Sequence, residues 1–197
     1  MHRLCVLVSG NGTTLQSIID AVEDGRIDAT IALVISSRPG AYALARARKH
    51  GIASETLDYS ALGREEYDRL LLNRLTTASP DLICLAGYLK ILEPGTIRKF
   101  AGRIVNIHPA LLPRFGGKGM YGDRVHEAVL RSGEKHSGCT VHFVTEGVDT
   151  GPVITQEIVP VREGDTVDAL KERVHEAEIR TYPRAISMVL EGKAKLE

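Results

Sequence analysis

The sequence predicts an α/β protein with a doubly wound, mostly parallel twisted sheet, helices on both faces and an antiparallel strand pair near the C-terminal part. Three observations carry that prediction. Short apolar runs alternate with segments of helical periodicity from the first residues onward. Each apolar run is closed by glycine or proline rather than by a long polar stretch. Late in the chain, two β-rich runs face one another across a turn with glycines at both ends. At 197 residues the chain is long enough for one sizeable core, and a single domain over 1–197 is expected.

Residues 3–8, RLCVLV, read as the first strand. The run breaks at Ser9-Gly10-Asn11-Gly12-Thr13-Thr14, and Leu15, Ile18, Ile19 and Val22 then follow at helical spacing. Gly10 and Gly12 permit tight turns, Thr13 or Thr14 can cap the helix, and its unpaired first-turn amides favour an anion such as phosphate. A dinucleotide fingerprint would need a third glycine where Leu15 stands and an acidic residue closing the second strand, which ends Ser36-Ser37-Arg38. Neither is present, and Arg38 alone keeps an NADP-type reading open. A small anion nest suits the loop better.

Pro39-Gly40 opens a short helix through Ala47, Gly51 ends it, and residues 53–58 form a third, edge-like strand. A helix starts over Ser60 to Arg64, carries Leu70, Leu71 and Leu75 along one side and stops at Pro80. Residues 81–86 are the next strand. The segment Gly87 to Leu92 is either core or the wall of an apolar pocket, and Pro94-Gly95 terminates it.

Ile104-Val105 is a short buried strand that Pro109 and Pro113 stop and stiffen. Asn106 and His108, two apart at that stop, share a side if the extended conformation persists. Taken alone, they read first as a satisfied turn amide and a hydrogen-bonded core histidine. A loop with four glycines in the eight residues 115–122 predicts mobility, and a helix over about 123–132 follows. Residues 138–145 and 152–159 are the antiparallel pair. The last helix has Asp165 as N-cap and Val167, Leu170 and Val174 on its apolar face; Pro183 kinks or divides it before Ile186, Val189 and Leu190.

Lys+Arg and Asp+Glu both number 25, and the pI is about 7.1, which argues against an extended footprint for nucleic acid or an anionic membrane. No segment has the roughly 18 apolar residues of a membrane span, and the N-terminal run is too short for a signal peptide. Cys5, Cys84 and Cys139 lack CxxC spacing and read as buried thiols of a cytoplasmic protein. The seven histidines show no HExxH pattern, so no metal is expected. The glycine loop, the segment after Ala86 and the Asn106-to-Pro113 stretch all fall at strand carboxyl ends, where ligands collect in such sheets.

The motifs SGNGTTLQ (9–16), LAGYLKIL (85–92), NIHPALLP (106–113) and HFV (142–144) with DTGP (149–152) closely resemble the phosphoribosylglycinamide formyltransferases, within the wider 10-formyltetrahydrofolate family. The likeness runs from the first strand to Tyr182-Pro183. It implies a formyltransferase domain whose N-terminal half binds phosphate and nucleotide and whose C-terminal half binds folate. The substrates implied are 10-formyltetrahydrofolate and glycinamide ribonucleotide, with no metal, and the chain is expected to act as a monomer or homodimer. The family further implies that Gly10, Asn11, Gly12 and Thr13, with His175 and Glu178, contact the ribonucleotide. Arg64, Leu89, Lys90, Ile91, Leu92, Asn106, Thr145, Glu146, Gly147, Val148 and Asp149 would contact the folate. Family members often have Gln or Lys where His175 stands, and some have a shorter loop with proline after the aromatic residue. Other formyl-folate enzymes and a non-catalytic nucleotide-binding module stand as alternatives.

Formyl transfer to an amine passes through a tetrahedral centre whose oxygen gains charge. The resemblance gives Asn106 and a protonated His108 the role of donors to that oxygen. It gives Asp149 the role of raising the imidazole's pKa, of accepting the amine's proton, or both.

Overall fold

Seven strands form one sheet in a computed structural model that describes residues 1–196. They are β1 (His2–Val8), β2 (Ala29–Ser36), β3 (Ser54–Thr56), β4 (Leu82–Leu85), β5 (Ile104–His108), β6 (His136–Phe143) and β7 (Val153–Pro160), in the order β3-β2-β1-β4-β5-β6-β7. The first five run parallel, whereas β6 is antiparallel to both β5 and β7. The antiparallel pair is therefore built into the main sheet, and its register sets Asn106 opposite His142 and His108 opposite Thr140.

Strand alternation divides the core between the two faces. Leu4, Val6 and Val8 of β1 join a cluster that includes Leu15 and Ile18 of α1 (Thr13–Glu23), Ala43 of α2 (Tyr42–Lys49) and Val129 of the helix over Asp123–Arg131. Leu170 and Val174 of the last helix (Val167–Leu190) belong to the same cluster. Cys5 and Leu7 join the other cluster, with Tyr67, Leu71 and Leu75 of the helix over Arg64–Ala78 and Ile97 of the helix over Pro94–Lys99. In chain order the remaining helices are α3 (Tyr59–Leu62), α4 (Arg64–Ala78), α5 (Pro94–Lys99), α6 (Asp123–Arg131) and α7 (Val167–Leu190). The three cysteines are buried free thiols. No helix among the described residues is long and apolar enough to cross a membrane.

Several local expectations are corrected. Gly12, at φ 76°, is the N-cap of α1, so Thr13 and Thr14 lie inside the helix and neither caps it. A Cβ at Gly12 would sit 2.6 Å from that of Ala43, so the close approach of α2 demands glycine there. The helix expected from Ser60 onward is two helices divided at Gly63, and Leu70 is only half-buried beside Tyr67, Leu71 and Leu75. Thr166, not Asp165, caps α7, its Oγ1 accepting from Ala169 N at 3.1 Å, because Asp165 is held by Arg173 at 2.7 and 3.0 Å. Pro183 does not divide that helix, which continues for 24 residues. The adjacent Tyr182 hydroxyl donates to the carbonyls of Leu85 (2.9 Å) and Val105 (3.1 Å), pinning α7 beneath β4 and β5.

Candidate active site

A cavity of about 1090 Å³ opens at the carboxyl ends of β1, β4 and β5. Its position follows from the sheet: β1 and β4 are adjacent, and the chain leaves them toward opposite edges, which opens a crevice between the loops that follow. Asn11 lines it from the loop after β1 and Thr13 from the first turn of α1, Leu89 to Leu92 from the segment after β4, and Thr145 to Asp149 from the loop after β6. His175 and Glu178 of α7 close the far wall, with His175 Nδ1 3.0 Å from Glu178 Oε2. Leu89 and Ile91 are 52% and 54% exposed, which marks this segment as pocket wall more than core; Leu92 is buried.

Of the expected contacts, Arg64, Gly10 and Gly12 do not line the cavity. Arg64 is on the first turn of α4, with Nε 3.6 Å from Asp68 Oδ2. Gly10 and Gly12 shape the loop without lining the cavity, leaving Asn11 and Thr13 to face it.

β5 extends to His108, so Asn106 and His108 lie in extended backbone two residues apart and both reach the cavity. His108 is 3% exposed, and its Nε2 lies 2.8 Å from the carbonyl oxygen of Phe115. A carbonyl only accepts, so Nε2 carries the hydrogen and Nδ1 is the ring nitrogen left for a guest. That Nδ1 is 3.5 Å from Asp149 Oδ2, too far for a strong hydrogen bond and close enough for charge coupling.

Asp149 has φ 55°, and Phe115 has φ 56°. Both are left-handed non-glycine residues, a conformation that costs on the order of 1–3 kcal/mol and concentrates at functional sites. The turn so formed aims the Asp149 carboxylate inward, where it accepts from Gly117 N at 3.0 Å.

His142 completes the cluster and was not anticipated. Its Nδ1 lies 2.8 Å from the Phe143 carbonyl oxygen and so carries the hydrogen, which leaves Nε2 to accept from Asn106 Nδ2 at 3.2 Å. The same Nε2 is 3.7 Å from Asp149 Oδ1. Asn106 Nδ2 retains a second hydrogen for the cavity.

Burial acts to raise the Asp149 carboxyl, but the neighbouring His142 and His108 rings and the Gly117 amide outweigh it and hold the group below its ordinary range. Burial also pushes His108 below the ordinary imidazole range, against the opposing pull of Asp149 and the Phe115 carbonyl. The expectation that the carboxylate leaves His108 raised is therefore corrected: Asp149 does pull upward, and desolvation is stronger. Among the described residues, no group of three or more His, Cys, Asp or Glu side chains is placed to hold a metal ion.

Comparison with known proteins places this geometry in a family. The chain is 43% identical over 195 residues to the phosphoribosylglycinamide formyltransferase of Escherichia coli (strain K12), covering 98% of this chain and 90% of that protein. It is 46% identical over 195 residues to the trifunctional purine biosynthetic protein adenosine-3 of Drosophila melanogaster, but spans only 14% of that protein's length. The solved glycinamide ribonucleotide transformylase 1 of Symbiobacterium toebii superposes with a TM-score of 0.92 at 46% identity, over 98% of this chain and 89% of that one. Residues 2–186 match the formyl transferase family as a whole, and the chain belongs to that family.

Proposed function

We propose that this chain transfers the formyl group of 10-formyltetrahydrofolate to the amine of glycinamide ribonucleotide, a cytoplasmic step of purine biosynthesis. The observation that carries the reading is the cluster of Asn106, His108 and Asp149 at the meeting point of one cavity's two unlike regions. On one side Leu89, Ile91 and Leu92 offer an apolar wall to a flat heterocycle, with Lys90 and the 145–149 turn beside it. On the other, Asn11, Thr13, His175 and Glu178 offer polar groups suited to a ribonucleotide and its phosphate.

The folate supplies the formyl carbon, and the residues of this chain govern charge and protons around it. As the substrate amine attacks, the carbonyl π pair moves onto oxygen. Asn106 gives that oxygen its second Nδ2 hydrogen, the first being engaged by His142. His108 meets it through Nδ1. Burial keeps the free imidazole neutral; as negative charge grows on the substrate oxygen beside the Asp149 carboxylate, Nδ1 takes up a proton from solvent and donates it as a hydrogen bond to that oxygen, releasing it again when the tetrahedral centre collapses. Asp149, held ionised, accepts the proton that leaves the amine, directly or through water, and returns it to the departing folate nitrogen.

A spectrophotometric assay of formyl-folate consumption tests the reading. Consumption that requires glycinamide ribonucleotide supports it. Consumption without any acceptor would make the protein a hydrolase, and consumption only with a different amine would reassign the acceptor.

A further inference from the structure

We propose that Arg46 is a positioning residue for the phosphate loop, orienting Asn11 so that its amide hydrogens, and not its oxygens, face the substrate phosphate. This inference rests on the proposed use of residues 10–13 as the phosphate loop. Arg46 lies on α2 and does not line the cavity, so it has no place among the contacts described above. Its guanidinium makes a fork on one residue: Nε donates to the Asn11 carbonyl at 2.9 Å and Nη2 to Asn11 Oδ1 at 3.2 Å. Ala43 N, three residues earlier on the same helix, donates to the Gly10 carbonyl at 3.2 Å. Two successive carbonyls and the side-chain oxygen of Asn11 are thus drawn toward α2.

The consequence is electrostatic. An anion in this loop is repelled by carbonyl oxygens and attracted by N–H groups. With Oδ1 committed to Arg46, the carboxamide turns its Nδ2 hydrogens the other way, and they have no protein partner among the described residues. α1 follows its N-cap Gly12 with no side-chain cap and no acidic residue in its first turn, so its positive end is left for the anion.

The fork is itself held in place. Nη1 donates to Gln16 Oε1 at 3.3 Å, and the guanidinium lies 5.1 Å from the Tyr42 ring centroid. Gln16 Nε2 in turn lies 2.9 Å from Asp20 Oδ1 and 3.2 Å from His50 Nε2, and His50 Nδ1 is 2.7 Å from Glu23 Oε1. A lysine at 46 would keep the charge but could not satisfy both Asn11 oxygens in one plane.

Steady-state kinetics with glycinamide ribonucleotide and 10-formyltetrahydrofolate test this on the full chain. Arg46→Met and Arg46→Lys should each raise KM for the ribonucleotide by about tenfold, leaving KM for the folate and kcat within about twofold. Loss of general packing would move both KM values and kcat together. In an Asn11→Ala background, Arg46→Met should add less than about twofold, because its effect runs through Asn11. Unchanged ribonucleotide KM in both single variants, or a full additional loss in the Asn11→Ala background, would overturn the inference while wild-type turnover kept the functional reading intact. Absence of wild-type turnover on this acceptor would remove both.

Discussion

Asn106 and His142 face each other across β5 and β6, with Asn106 Nδ2 3.2 Å from His142 Nε2. The histidine takes one amide hydrogen and so directs the other into the cavity. His142→Ala should therefore lower kcat by roughly ten- to a hundredfold, the scale of a misplaced catalytic group, with both KM values near wild type. Wild-type kcat in that variant would show that Asn106 is oriented by something else.

Direct donors should matter more. Asn106→Ala and His108→Ala are each expected to lose about 10²–10³ in kcat, the usual consequence of removing one oxyanion donor. Single-turnover rates with bound substrates provide the check, and near-wild-type chemistry in either variant would exclude it from that role.

The His108 ring reports on Asp149. Burial pushes the imidazole down and the carboxylate pulls it up, so neutralising the carboxylate removes the upward pull. The titration midpoint of His108, followed by NMR of its ring protons, should lie below 6.5 in the wild type and fall further in Asp149→Asn. A rise in the variant would mean that the two groups are not coupled as their 3.5 Å separation indicates.

His126 makes a separate prediction about stability. It is 3% exposed, its Nδ1 has no partner among the described residues, and burial, reinforced by Lys171, pushes it from 6.5 to about 4. Between those pH values the unfolded chain binds a proton that the folded chain refuses. The stability associated with a neutral His126 is thus complete above about pH 6.5 and is lost as pH falls toward 4, by roughly 3 kcal/mol in all. Urea unfolding at a series of pH values should give a flatter dependence across this window for His126→Gln than for wild type; parallel curves would contradict it.

Much of the fold was legible because local signals and tertiary structure agree. RLCVLV, the run over 31–36 and the run over 82–85 are largely apolar on both faces, as strands covered by helices must be, and Gly10, Pro39 and Gly87 follow shortly after them. The misreadings share one cause, a partner distant in sequence. Asp165 and Thr166 are equally good caps until Arg173 claims the aspartate. Pro183 looks like a helix end until Tyr182 is seen anchored to β4 and β5.

The same distinction divides the site. Asn106, His108 and Asp149 were found through their motifs, and the structure brings them together. His142 sat inside a quoted motif but gained a role only from the β5–β6 register, which periodicity does not supply. The direction of the His108 shift depends on how deeply the strand end is buried, and composition says nothing about that. Arg46 reads as one more basic residue in YALARARK until its fork on Asn11 is located.

The central claim is formyl transfer to a specific amine, and the fate of the one-carbon unit tests it most directly. With 10-formyltetrahydrofolate labelled with ¹³C in the formyl group, NMR should show the label appearing on the glycinamide nitrogen of the ribonucleotide, one equivalent for each folate consumed. Label released as formate, or label retained on the folate while the ribonucleotide is present, would contradict the account.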